Sequence, residues 1–99
     1  MSSQEILKKI KENIDSYEDF MQLRRELILK NQELTRSFEE SKNNPDTSDI
    51  ELAMKAISLH SLISMNDRHI HYINSEIVQM LDETSYFIEL LKSENDDGN

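Results

Sequence analysis

The stretch SKNNPDTS, residues 41–48, holds the one proline of the chain, Pro45, and the one glycine, Gly98, lies at the far end. Residues 1–44 and 46–97 contain neither. In a helix interior glycine costs about 1 kcal/mol and proline about 3 kcal/mol, so these two residues are the strongest local stops a sequence can carry. Asn43, Asn44, Asp46 and Ser48 favour turns beside Pro45, because Asn and Asp tolerate left-handed backbone and Pro fixes φ. A single stop near the middle, between two long unbroken segments, predicts two long helices folded back at one loop: an all-α, antiparallel helical hairpin. The expected boundaries are a helix over residues 3–40, a loop over 41–48, a helix over 49–93 and a disordered tail over 94–99, forming one domain.

Both helix starts carry local signals. Ser2 with Glu5, and Ser48 with Glu51, stand in capping-box spacing, where hydroxyl and carboxylate satisfy otherwise unpaired backbone amides. Asp49 and Glu51 also complement the dipole at the start of the second helix.

Apolar residues of the first helix recur at Ile6, Ile10, Tyr17, Phe20, Leu27, Leu34 and Phe38. These are a and d positions of one heptad frame. Leu7, Ile14, Met21 and Ile28 add an e row beside them. A stripe of three rows is broader than a two-stranded seam, so each helix is expected to have at least two neighbours. A three- or four-helix bundle or a coiled coil is the expected assembly. In the second helix the stripe runs through Leu52, Ala56, Leu59, Ile63, Ile70, Ile73, Ile77, Met80, Phe87 and Leu91, with Met54, Ile57, Leu62, Leu81 and Ile88 broadening it. Polar Ser64, Asn66 and Asp67 interrupt it. One continuous helix is the expectation; a break at residues 64–67, with Asn66 or Asp67 capping a third helix, is the alternative.

A loop closing at residues 44–46 sets Phe38 near Ile50 and the start of the chain near residues 80–82. That register places Lys8, Lys9 and Lys11 opposite Glu76, Asp82 and Glu83.

Composition narrows the function. The chain has 99 residues, a net charge of −9 and no cysteine. Disulfides, thiolate metal sites and thiol catalysis are excluded. Nucleic-acid binding needs clustered Lys and Arg to displace counterions, and here only Lys8, Lys9 and Lys11 cluster. Direct nucleic-acid and membrane binding are therefore not expected. The start MSSQEILKKI lacks the apolar core of a signal peptide, and no segment has the length of a membrane span, so a soluble cytoplasmic or otherwise intracellular protein is expected.

Chemistry-bearing constellations are weak. His69 and His71 point about 200° apart on a helix, and Asp67 with His71 makes only two ligands. Neighbouring carboxylates such as Asp82 and Glu83 diverge by about 100° and face solvent. One glycine permits no phosphate-binding loop. No catalytic residue, metal ligand or cofactor is expected.

Two groups of residues point to binding instead. Arg24, Asn31, Asn66 and Asp67 place polar groups in or beside the apolar stripe, where such groups specify register and partner at some cost in stability. They form the expected specificity layer, with Arg24 reaching Asp67 or Glu26. Met65, Tyr72, Tyr86 and Phe87 are the expected partner-binding residues. The function expected is a non-enzymatic protein–protein interaction module that buries apolar helix faces against a protein partner or against itself, as a homo-oligomer. In size, acidity and helix layout the chain resembles small export and assembly chaperones, and its long helices flanking a turn are similar in organisation to tubulin-folding cofactor A. That resemblance implies shielding of a client helix. An acidic mimic of nucleic acid that blocks a basic protein is the further alternative.

Overall fold

A computed structural model describes residues 1–97. It contains two helices, α1 over Ser3–Lys42 and α2 over Asp49–Asp97, and no strand among the described residues. The expected helical hairpin is the fold. α2 passes through Ser64, Asn66 and Asp67 without a break. The third helix does not form, because Asn66 and Asp67 use their side chains across the hairpin, on Asn31, rather than as caps. Helix also replaces the expected disordered tail as far as Asp97. Polar residues weaken a helix but do not stop it, and the first true breaker is Gly98. Residues 98 and 99 of that expected tail lie outside the described residues.

The serine half of each predicted capping box forms. The Glu5 backbone N–H donates to Ser2 Oγ at 3.2 Å, and the Glu51 N–H donates to Ser48 Oγ at 3.2 Å. The first main-chain bonds of the helices run from Ile6 N–H to the Ser2 carbonyl and from Leu52 N–H to the Ser48 carbonyl. α1 ends by tightening: Asn44 N–H bonds the Ser41 carbonyl at 3.2 Å, three residues back. Pro45 bars Asn44 from helical backbone by the clash of its ring with the preceding residue. Asn44 then turns the chain through its side chain, its Oδ1 accepting the Asp46 N–H at 2.9 Å. No described non-glycine residue has positive φ, so Asn and Asp work here as hydrogen-bonding turn formers and not as left-handed residues.

The chain divides into two compact units. Unit 1 joins Met1–Gln22 to Ile73–Asn99, and unit 2 is Leu23–Tyr72. Unit 1 holds every buried apolar residue among those described: Ile6 at 1% exposure and Ile73 at 0%, with Ile77 and Phe87 nearly as well covered. Around them Ile10, Tyr17, Phe20, Met80 and Leu91 are half-buried. These are the a and d positions of both helices. Unit 2 repeats the pattern with a thinner interior. Leu27, Leu34, Phe38, Leu52, Leu59, Ile63 and Ile70 are half-buried, and no described residue there is buried.

Side-chain pairs set the register in each unit. In unit 1 Asn13 meets Thr84 and Ser3 meets Glu94. Residues 8–11 lie between those levels and so fall beside residues 86–89, not beside Glu76, Asp82 and Glu83. Lys9 pairs with Glu12 on its own helix at 3.9 Å. In unit 2 Asn31 meets Asn66, and Phe38 shares a groove with Leu59. Ile50, the expected neighbour of Phe38, is 74% exposed. The displacement is close to one heptad in each unit. An apolar repeat of seven residues is satisfied equally by registers seven apart, and the polar pairs discriminate between them.

Candidate interaction surface

Two polar layers interrupt the apolar seam. In unit 2 Asn66 Nδ2 donates to Asn31 Oδ1 at 2.7 Å, and Asn31 Nδ2 donates to Asp67 Oδ1 at 3.1 Å. One carboxamide thus uses both its acceptor and a donor across the hairpin. In unit 1 Asn13 Nδ2 donates to Thr84 Oγ1 at 3.1 Å and to Glu83 Oε1 at 3.2 Å. The Thr84 hydroxyl in turn donates a hydrogen bond to the Met80 carbonyl at 2.8 Å. Among the described residues no buried side-chain polar atom lacks a partner. A slip of one heptad would set Asn31 against Leu59 and Asn13 against Ile77. Each desolvated amide would then cost about 1–3 kcal/mol.

The expected specificity layer is thus partly assembled: Asn31, Asn66 and Asp67 converge, and Asn31 holds the Asp67 carboxylate. Arg24 is half-buried at an a position two turns before Asn31. The Asn13–Thr84 layer was not anticipated. Its signal was present, because both residues fill gaps in the a and d rows where an apolar side chain is missing.

The flanks of the seam differ. In an antiparallel pair the two e rows lie on one side and the two g rows on the other. The grooves show this placement directly. Ile28 and Thr35 share one groove with Asp67, all e positions, in unit 2. Ser16, Glu76 and Glu83, all g positions, share another in unit 1.

In unit 1 the e side is apolar over the levels of Leu7 to Ile14. Leu7 and Ile14 of α1 and Leu81 and Ile88 of α2 occupy it, and each keeps 41–55% of its surface in water. Val78, one turn before Leu81, extends the face and is also exposed. The g side of the same unit carries Ser16, Glu76, Gln79 and Glu83. The broad stripe seen in the sequence is therefore real, but the hairpin covers only its a and d rows. The e-row residues Leu7, Ile14 and Ile28 stay exposed, as do Met54, Ile57, Leu62, Leu81 and Ile88, because each helix has one neighbour where the stripe asks for two.

In unit 2 apolar exposure is distributed otherwise. Leu34, Phe38, Leu59 and Leu62 line a groove of about 280 Å³, with Met54 and Lys55 at its edge. Ile28, Ile63 and Ile70 line a second groove on the e side. Ile50 and Ile57 project from α2 with more than 70% of their surface in water. Of the expected partner-binding residues, Met65 and Tyr72 in unit 2 and Tyr86 in unit 1 are exposed. Phe87 is not: it belongs to the core of unit 1, with its ring centroid 5.9 Å from that of Tyr86. Its d position places it in the seam.

No group of three or more His, Cys, Asp or Glu side chains among the described residues is arranged to hold a metal ion. No described helix is long and apolar enough to cross a membrane. No protein-family model, curated protein or solved structure matches this chain.

Proposed function

We propose that this chain is a non-enzymatic protein-interaction module, a helical hairpin whose uncovered apolar flank is buried against another polypeptide. The observation that supports the reading is the e side of unit 1. Leu7, Ile14, Leu81 and Ile88 come from both helices, form one side of the seam and remain half in water. A contiguous exposed apolar patch rimmed by charge marks an interaction surface. Helical residues at heptad spacing match a helix-in-groove mode of binding. Polar layers at Asn13 and Asn31 hold the two rods in one register, so the patch keeps a defined shape.

A second reading, a chaperone that shields a client helix, is favoured by the grooves of unit 2. Leu34, Phe38, Leu59 and Leu62 form an apolar trough edged by a flexible methionine, Met54, a side chain suited to adaptable packing.

Photo-crosslinking in the source cells tests the module. A crosslinking residue at position 81 is expected to trap a polypeptide, and one at position 79, on the g side, is not. Equal, background-level adducts from both positions would remove the reading.

A further inference from the structure

We draw no further inference here: the strongest candidate, the exposed apolar side of unit 1 at Leu7, Ile14, Leu81 and Ile88, carries nothing beyond the function already proposed, because nothing in the structure shows what covers it.

Discussion

Asn66 donates its side-chain amide to Asn31 Oδ1 at 2.7 Å, across the seam of unit 2 and 35 residues away in sequence. The bond joins an a position of α1 to a d position of α2, the level at which a leucine would pack best. An amide pair there is weaker than an apolar pair, and it is satisfied in one register only.

Replacing one partner and replacing both have opposite consequences. Asn66→Ala leaves the Asn31 oxygen without its donor and is expected to cost about 1 kcal/mol. Asn31→Leu/Asn66→Leu removes the amide pair and is expected to raise the thermal midpoint while letting the helices slip. Chemical denaturation measures the first effect. Melting combined with the distance measurement below measures the second. A double variant less stable than the wild type would show that the pair holds the hairpin together and does not merely align it.

Register is open to direct measurement, because the chain has no cysteine to interfere. Ser37 and Ser58 line one groove. Ser37→Cys/Ser58→Cys is expected to close with a short bifunctional thiol reagent. Ser37→Cys/Glu51→Cys, one heptad or about 10.5 Å further along α2, is not. The opposite preference would restore the register in which Phe38 faces Ile50.

Core and flank are expected to separate in their energetics. Ile73→Ala, at a residue with 0% exposure, is expected to lower folding stability by about 2–5 kcal/mol. Leu7→Ala, on the uncovered side, is expected to change the stability of dilute protein little and association strongly. Denaturation curves at low concentration, set beside association constants, distinguish the two. Comparable loss of stability in both variants would mean that Leu7 is already packed within the hairpin.

The helix starts provide a local check. Ser48→Ala is expected to cost about 1 kcal/mol, and Ser48→Gly only a few tenths, since glycine still permits the cap backbone. Urea denaturation resolves the difference. A neutral Ser48→Ala would mean that its 3.2 Å bond to the Glu51 N–H contributes nothing.

Salt separates the apolar face from an acidic decoy. Association through Leu7, Ile14, Leu81 and Ile88 is expected to persist at about 1 M salt, where charges are screened beyond roughly 3 Å. Binding that vanishes under those conditions would favour a mimic of nucleic acid that acts through its net charge of −9.

Helices, caps and the position of the turn were legible in the sequence because each is written locally. Pro45 ends one helix, Ser2 and Ser48 begin two, and nothing between Asp49 and Asp97 breaks the second. Register was not legible from loop length. The apolar rows repeat every seven residues and accept a shift of seven, and the deciding contacts join residues as far apart as Asn13 and Thr84. The exposed apolar side of unit 1 was legible in part. The e row of α1 was visible as a third apolar row, yet its exposure depends on the number of neighbours, a property of the fold and not of the pattern. Phe87 illustrates the reverse case: its aromatic ring suggests a contact surface, and its d position buries it.

We propose that another chain covers the apolar side of unit 1. Hydroxyl-radical footprinting tests it most directly, on dilute purified protein and again at high concentration and in source-cell extract. Concentration- or extract-dependent protection of Leu7, Ile14, Leu81 and Ile88, with Tyr86 labelled throughout, is the expected result. Equal labelling of those four residues under all conditions would contradict it.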